Sequence, residues 1–306
     1  MRLSILFFIL VGSFCMTASK TAAQPVADAG FVKVRDGLQF PEGPAWNGRD
    51  KLYASNCHGD WITVIAPDTT TIFLRAGNDP FTFSKTNGLT FGPDGHLYAC
   101  DFGIGAILRI SPTGVSEVFI DGYLGKPFNR PNDLAFDRKG NLYFTDPKSY
   151  DRNNRDGAVY RCDTKTRDVT RAAADLAFPN GIAFSADGKW LYVCESAMER
   201  ILRFPVRRDG SLGEAAVFVD LPGGDPDGIA FNRKGDLYVA HFGAGSLCVI
   251  DNKGTIVKII MTPGKKPSNV EFAGPDLRTL YITEDESNAI YTCRVETPGV
   301  RLFGLK

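Results

Sequence analysis

The stretch FPNGIAFSADGKWLYVCE, residues 178–195, contains two short apolar runs, GIAF and WLYVC, joined by the turn sequence ADGK. Short runs rich in Ile, Val, Tyr and Phe between Gly-containing turns are typical of a β-hairpin. The chain carries this hairpin six times. The copies are PEGPAWNGRDKLYASN (41–56), TNGLTFGPDGHLYACD (86–101), PNDLAFDRKGNLYFTD (131–146), PNGIAFSADGKWLYVCE (179–195), PDGIAFNRKGDLYVAH (226–241) and SNVEFAGPDLRTLYITE (268–284).

Equivalent positions of the copies lie 42 to 48 residues apart. This period, with Gly-rich turns and short strands, is typical of propeller blades of four strands. Third and fourth strands follow each hairpin, such as AILRI (106–110) and EVFI (117–120). The sequence therefore predicts an all-β fold, a six-bladed β-propeller with four-stranded antiparallel blades, which spans residues 24–306 as a single domain. A helical solenoid is excluded because the apolar runs are short and alternate with polar residues.

Closure of the ring requires a strand from outside the six repeats. FVKV (31–34) precedes the first repeat and resembles a fourth strand without a blade of its own. We expect it to complete the last blade, which removes an exposed sheet edge. VRLF (300–303) is the alternative, and the sequence leaves this choice open.

The N-terminal residues differ in composition from the rest of the chain. Arg2 precedes an apolar run over residues 3–16, which is too short to cross a bilayer core of roughly 30 Å as a helix. A polar segment with small residues near Ala23 follows. This pattern predicts a signal peptide over residues 1–23 and an exported protein, periplasmic or secreted, with no membrane attachment after cleavage. An uncleaved anchor is the alternative.

The charge balance and the cysteines exclude other classes. Lys and Arg total 35 and Asp and Glu total 35, so that no net charge favours binding to nucleic acid or to an anionic membrane. The sequence has no CxxC pair or dense cysteine framework. We therefore expect mainly buried free thiols rather than disulfides. The sequence does not determine the oligomeric state.

Each hairpin brings two polar positions to one end of its blade. The innermost strand lines the central tunnel, and the second strand runs antiparallel to it, so that the start of one lies beside the end of the other. The inner ring consists of the residues at the start of the innermost strands: Glu42, Asn87, Asn132, Asn180, Asp227 and Asn269. The outer ring consists of the residues at the end of the second strands: Asn56, Asp101, Asp146, Glu195, His241 and Glu284.

The inner ring combines two carboxylates with neutral amides around one axis. Carboxylates that face each other away from water repel unless a cation lies between them. Ca²⁺ binds carboxylate, amide and water oxygens, and no His and Cys cluster has the spacing of a zinc site. The pattern thus predicts a divalent metal, Ca²⁺ first and Zn²⁺, Mn²⁺ or Mg²⁺ as alternatives. Asn87 and Asn269 are interpreted as turn residues. The outer-ring acids are expected to bind a second cation or substrate, or to solvate the mouth.

Five motifs from four of the six repeats carry a family resemblance. They are PEGP around Glu42, RPND around Asn132, YFTDP ending at Pro147, PNGI around Asn180 and PDGI around Asp227. From about residue 37 to 295 the chain resembles the senescence-marker-protein/gluconolactonase family of calcium-dependent six-bladed propellers, which includes regucalcin. It resembles the paraoxonases and diisopropyl-fluorophosphatase more distantly.

The resemblance implies roles for the residues at matching positions. Glu42, Asn180 and Asp227 match metal ligands of the family, and Asp227 also matches its candidate general base. Asn132 matches a residue that contacts the substrate and in some members the metal. Arg130 matches a substrate-binding arginine.

The histidines depart from the paraoxonase pattern. Those enzymes use a histidine pair, and His58, His96 and His241 offer no match to it. His241 belongs to the outer ring, and we expect it to contact the substrate or to act only as a hydrogen-bonding residue.

Together these residues predict a metal-dependent hydrolase that opens a sugar lactone. The cation polarises the carbonyl group, and Asp227 accepts a proton from the attacking water. No Gly-x-Ser-x-Gly motif offers a serine nucleophile. One alternative is an esterase or phosphotriesterase at the same metal. The other is a non-catalytic ligand-binding propeller with a structural calcium, against which Arg130 argues, because a structural calcium site has no use for an adjacent arginine.

Overall fold

The computed structural model describes residues 23, 25–26, 29–77 and 83–303. The predicted signal peptide lies outside these residues except for Ala23. Residues 78–82 and 304–306 also lie outside them.

The described residues form six sheets, and each repeat of the sequence supplies one. Two N-terminal strands, β1 (Pro25–Val26) and β2 (Val32–Arg35), precede the repeats. The strands of blades 1 to 3 are β3 (Pro41–Trp46), β4 (Leu52–Asn56), β5 (Trp61–Ala66), β6 (Thr69–Arg75), β7 (Thr86–Phe91), β8 (Leu97–Asp101), β9 (Ala106–Ile110), β10 (Ser116–Ile120), β11 (Leu134–Phe136), β12 (Leu142–Asp146), β13 (Gly157–Cys162) and β14 (Val169–Leu176). Those of blades 4 to 6 are β15 (Pro179–Phe184), β16 (Trp190–Glu195), β17 (Arg200–Pro205), β18 (Ala216–Asp220), β19 (Asp225–Phe231), β20 (Leu237–Phe242), β21 (Ser246–Ile250), β22 (Ile256–Met261), β23 (Pro267–Ala273), β24 (Thr279–Glu284) and β25 (Ala289–Arg294).

This arrangement confirms the predicted six-bladed propeller. Within each repeat the strands pair antiparallel in chain order, and the innermost strands β3, β7, β11, β15, β19 and β23 surround the axis. One 3-10 turn, Ser196–Met198, is the only helical element among the described residues. No helix in this part of the chain has the length and apolar character needed to span a membrane.

The N-terminal strand β2 completes the last blade. It pairs antiparallel with β25, with Val32 opposite Thr292, which confirms the expectation for FVKV. The shorter β1 adds to the edge of blade 5, parallel to β22. The C-terminal VRLF segment does not form a blade strand. Val300 donates its N–H to the carbonyl of Phe231, and the ring of Phe303 lies 6.3 Å from that of Phe184, so the segment covers the far end of the tunnel.

Adjacent blades are held together by an aromatic pair that recurs with the repeat. In five blades the tyrosine of the LY dipeptide lies on the second strand, and a phenylalanine at or next to the end of the next blade's innermost strand packs edge-to-face against its ring. The pairs are Tyr53–Phe91, Tyr98–Phe136, Tyr143–Phe184, Tyr192–Phe231 and Tyr238–Phe272, with ring centroids 4.9 to 5.3 Å apart. Edge-to-face aromatic pairs each contribute about 0.5–1.5 kcal/mol beyond the area they bury.

The cysteines of the described residues are all buried and unpaired, as the sequence predicts. They are Cys57, Cys100, Cys162, Cys194, Cys248 and Cys293. Burial raises the pKa of each of these thiols, which makes them inert packing groups rather than nucleophiles.

Candidate metal centre

The two polar rings lie at the same end of the propeller. In four blades the outer-ring residue pairs across the hairpin with the residue just before the inner-ring position, as in Pro179 with Glu195 and Pro226 with His241. A cavity of about 400 Å³ opens there on the axis. Five of the six inner-ring residues line it: Glu42, Asn87, Asn132, Asn180 and Asp227. The structure therefore brings the four predicted metal-binding residues together.

β-Bulges and close blade contacts direct these side chains to the axis. The pairing register shifts between Pro179 and Ile182 and again between Pro226 and Ile229, at the point where the inner-ring residues lie. A Cβ at Gly181 would lie 2.1 Å from the carbonyl oxygen of Asp227. Glycine is needed there because neighbouring innermost strands touch through their backbones. The repeated Asn-Gly and Asp-Gly pairs thus serve bulges and blade contact rather than ordinary turns.

The two inner-ring carboxylates are buried with too few hydrogen-bond partners. Glu42 is 3% exposed, and its Oε2 accepts the N–H of Gly43 at 2.9 Å and Nδ2 of Asn269 at 3.2 Å. Asp227 is 8% exposed, and its buried Oδ1 has no hydrogen-bond partner. Asn269 is therefore more than the turn residue predicted from the sequence, because its side chain donates a hydrogen bond to Glu42, one of the predicted metal ligands.

The electrostatics of these acids match a cation site. Burial is the main cause that raises the pKa of Glu42 to about 7. Burial first, and repulsion from Glu42 second, raise the pKa of Asp227 well above its usual value. Ionisation of such acids destabilises the folded protein unless a positive charge lies between them.

The cavity is lined by two carboxylates and two amides, and one carboxylate, that of Asp227, has an oxygen without a hydrogen-bond partner. This donor set fits a hard divalent cation. Within residues 29–77 and 83–303, no group of three or more His, Cys, Asp or Glu side chains is arranged to hold an ion. The predicted set differs from such groups because half of its oxygens come from Asn132 and Asn180.

A further acid near this site was missed in the sequence. Asp285 is 7% exposed, and neither of its carboxylate oxygens has a hydrogen-bond partner. Burial, and then the charge of Glu42, raise its pKa to about 10. Asp285 follows the outer-ring residue of blade 6, and the equivalent residues of the other blades line the cavity: Cys57, Phe102, Pro147, Ser196 and Phe242. Comparing the repeats one residue beyond the outer-ring position would have identified Asp285 as a cavity residue.

The outer ring does not face the cavity, which corrects the expectation of a second cation or a solvated mouth. Its members are buried and bind the loops that precede the innermost strands. Asp101 accepts the N–H groups of four residues, among them Ser84 at 2.6 Å. Glu195 accepts the N–H of Ala177 at 2.8 Å, and Glu284 accepts that of Lys266 at 2.9 Å. These acids stabilise the loops that carry the cavity wall.

Arg130 lines the cavity as predicted. Asp146, an outer-ring residue, accepts its backbone N–H at 2.7 Å and so fixes the loop. The guanidinium group lies 5.8 Å from the ring centroid of Phe102 and has no hydrogen bond to any described residue. It is therefore available to a ligand.

The structure does not bring His241 to the cavity. Its ring is buried, with Nε2 3.2 Å from the carbonyl oxygen of Leu221 and Nδ1 3.7 Å from Sγ of Cys248. This placement supports the hydrogen-bonding role and not the predicted contact with substrate. His58 lines the cavity instead, with its ring 4.4 Å from that of Phe40.

Comparisons with known proteins show the family of the chain. The model of the SMP-30/Gluconolactonase/LRE-like region matches residues 28–286. A gluconolactonase of Zymomonas mobilis is 30% identical, covering 87% of this chain and 81% of that protein. Diisopropyl-fluorophosphatase of Loligo vulgaris is 27% identical, covering 91% and 96%. The crystal structure of regucalcin from Agrobacterium tumefaciens, described as a calcium-binding protein, has a TM-score of 0.75 at 22% identity and covers 92% of this chain and 100% of that one.

Proposed function

The chain belongs to the SMP-30/gluconolactonase/LRE-like family, and from this membership and the geometry of its cavity we propose that it is a metal-dependent hydrolase that opens a lactone ring. The observation that carries the proposal is the buried Oδ1 of Asp227, which lacks a partner in a wall that also contains Glu42, Asn132 and Asn180. The gluconolactonase relative makes a sugar lactone the first substrate to test.

The residues of the cavity divide the chemistry between them. Glu42, Asn132, Asn180 and Asp227 would hold a divalent cation, which would supply Lewis-acid polarisation of the lactone carbonyl and stabilisation of its developing negative charge. Asp227 accepts through its carboxylate group the proton that water loses as it attacks the carbonyl carbon. The ring C–O bond then breaks, and the same proton passes to the leaving alkoxide, which gives a hydroxy acid.

Arg130 is placed to bind the negatively charged carboxylate group of the product. Its guanidinium group is exposed at the cavity wall and is not engaged elsewhere in the described residues. Arginine binds carboxylates through paired N–H donors, so that it orients the substrate and then holds the new carboxylate group.

The donor set favours calcium as the metal. Carboxylate and amide oxygens are hard ligands suited to Ca²⁺, and no histidine or cysteine belongs to the set. The calcium-binding regucalcin shares the fold, which supports the same choice. Mn²⁺, Mg²⁺ and Zn²⁺ are the ions to compare with it.

A chelation experiment tests the function. Hydrolysis of glucono-1,5-lactone, aryl esters and phosphotriesters is followed with a pH indicator, with and without EDTA. We expect lactone turnover to stop with EDTA and to return with Ca²⁺ or a competing ion, together with binding of about one ion per chain. Turnover that ignores EDTA would refute the role of the metal.

Two other outcomes identify the alternatives. Faster turnover of phosphotriesters than of lactones supports the activity named for the Loligo relative. Binding of the ion without turnover of any of these substrates supports a non-catalytic ligand-binding propeller.

We also propose that the protein is exported after removal of residues 1–23, because their apolar run is shorter than a membrane span. Intact-mass analysis of the protein from its source cells tests this. A mature chain that begins after Ala23 supports export, and a full-length chain in the membrane fraction supports the anchor.

A further inference from the structure

Five aromatic side chains surround the cavity, one from each of blades 1 to 5. They form the aromatic collar: Phe40, Phe102, Tyr150, Phe178 and Phe242. Four lie in loops that precede an innermost strand or follow a second strand, and Phe242 ends β20. The four phenylalanines are half-buried, and Tyr150 is 57% exposed. Tyr150 is the only aromatic residue among the strongly exposed large apolar side chains of the described chain.

Contacts within the aromatic collar are partial, so that ring surface remains open to the cavity. The rings of Phe40 and Phe242 lie 6.4 Å apart, and Tyr150 meets Phe178 edge-on at 5.1 Å. Tyr150 also donates its hydroxyl to Oδ1 of Asp225 at 2.6 Å. This bond fixes the loop of blade 3 over the start of β19.

Two of the rings are placed by an unusual backbone conformation. Phe40 has a φ of 55° and Phe178 a φ of 54°, which is the left-handed region. A residue with a side chain adopts it at a cost of roughly 1–2 kcal/mol. Hydrogen bonds maintain it: Asn288 Oδ1 accepts the N–H of Phe40 at 2.9 Å, and Ser196 donates its N–H to the carbonyl of Phe178 at 3.1 Å. The folded protein is thus less stable because of the backbone conformation at these two positions, which direct their rings to the cavity mouth.

Four polar side chains in the wall, Cys57, Tyr150, Ser196 and Asp225, form hydrogen bonds inside the protein. Ser196 Oγ donates to the carbonyl of Pro226 at 2.8 Å, and Cys57 Sγ donates to the carbonyl of Thr86 at 3.2 Å. Asp225 accepts from Tyr150. Beyond the predicted metal-binding residues, four polar side chains in the wall have no hydrogen bond to a described residue: His58, Lys85, Asn87 and Arg130.

A hydroxyl group that faces the aromatic collar finds no hydrogen-bond partner on the rings, because the hydroxyl of Tyr150 is already bound to Asp225, and this costs binding energy. Binding sites with apolar walls and a few polar groups take ligands with an apolar body and one polar end. Resting on the proposed lactone hydrolysis, we propose that the preferred substrates are lactones with an alkyl or aryl substituent. The lactone group faces Asp227, and the substituent packs against the aromatic collar.

The reaction itself stays balanced whatever the substituent. Water adds its oxygen to the carbonyl carbon, and the ring C–O bond breaks. One proton of water passes to the leaving alkoxide, and the other is released when the new acid ionises to the carboxylate. No oxidant or further reactant is needed. The substituent changes only how much ring surface the substrate covers.

A matched pair of substrates tests the inference on the calcium-loaded protein. δ-Decanolactone and δ-valerolactone share the same ring and differ in the alkyl chain. We expect kcat/KM to be at least tenfold higher for δ-decanolactone, and to exceed that for glucono-1,5-lactone. Phe102→Ala and Phe178→Ala should each remove most of the preference for δ-decanolactone, measured as the ratio of the two kcat/KM values.

Val217→Ala provides the control, because Val217 is exposed on β18 outside the cavity wall. It should leave both substrates unchanged. Phe102 does not have the strained backbone conformation of Phe178. If the Phe178 variant misfolds, the Phe102 variant still tests the inference. Equal turnover of the two δ-lactones, or a preference that survives both variants, overturns the inference while the lactonase function stands.

A binding measurement separates the inference from the proposed function. Calorimetry with the lactams of the two δ-lactones, which resist hydrolysis, should give at least tenfold tighter binding for the alkyl-substituted lactam. If no lactone is hydrolysed but this preference is found, the proposed function fails and the role of the aromatic collar holds. Equal affinity for the two lactams would contradict the proposed binding role of the aromatic collar, whether or not the protein hydrolyses lactones.

Discussion

The inner and outer rings are similar in sequence and opposite in structure. Both contain one polar residue from each blade, both mix carboxylates with neutral side chains, and both lie at the same end of the propeller. Asp101 of the outer ring is fully buried and accepts four backbone N–H groups. Asp227 of the inner ring is nearly as buried, and its Oδ1 accepts none.

The difference shows what decides the role of a buried acid. A carboxylate whose oxygens are satisfied by loop N–H groups stabilises the fold, because charge-assisted hydrogen bonds replace its hydration. A carboxylate left without such partners carries an unfavourable charge that a cation or a proton must relieve. The outer ring therefore supports the loops, and the inner ring keeps binding capacity for ligands.

The largest expected effect is on activity at the inner ring. Asp227→Asn should lower kcat for a lactone by about 10²–10⁴-fold, because it removes the proton acceptor and weakens the cation site. The fold should survive, since the change replaces an unpaired buried charge with a neutral side chain of similar shape. Steady-state kinetics and circular dichroism measure the two effects.

Asn87→Ala is the matched change, because Asn87 lines the same cavity and is not among the predicted metal-binding residues. It should reduce kcat by less than tenfold. An Asp227→Asn variant with wild-type kcat would show that the inner ring lacks the proposed base.

The next effect concerns stability at the outer ring. Asp101→Ala should lower the free energy of unfolding by about 3 kcal/mol, because four N–H groups lose their acceptor. Asp101→Asn should cost less, since one carbonyl oxygen remains. Urea denaturation measures both, and activity of the folded fraction should stay within tenfold of wild type. Loss of activity without loss of stability would contradict the division between the rings.

The smallest effect concerns pH. Burial raises the pKa of Glu42 from 4.5 to about 7 in the folded chain. The folded state then holds its proton more tightly than the unfolded state, so the stabilisation is complete below about pH 4.5 and is lost as the pH rises through 7. Asp285 acts in the same direction up to about pH 10. The Tm of the metal-free protein should fall by about 5 °C between pH 5 and pH 8.

Thermal scans in EDTA and in Ca²⁺ test this dependence. Calcium should flatten it, because a cation stabilises the ionised acids. A metal-free Tm that rises over the same pH range would show that these carboxylates are paired in a way the geometry does not suggest.

The sequence alone determined the six blades and the inner ring. Its signals are local: alternation of apolar residues, Gly-containing turns, and a polar residue at the start of each copy. Because each blade repeats the same strand order, equivalent positions must meet around one axis. Glu42 and Asp227 could therefore be placed together although more than half of the chain separates them.

Only the tertiary structure decided which partner each polar side chain finds. Whether Asp101 faces a loop or a cavity depends on backbone groups from another segment, and the repeat does not encode their direction. The same holds for the closure by β2, for the unpartnered Asp285, and for the rings of the aromatic collar. Periodicity fixes where a residue lies along its strand, whereas burial and hydrogen bonding depend on neighbours that are distant in the chain.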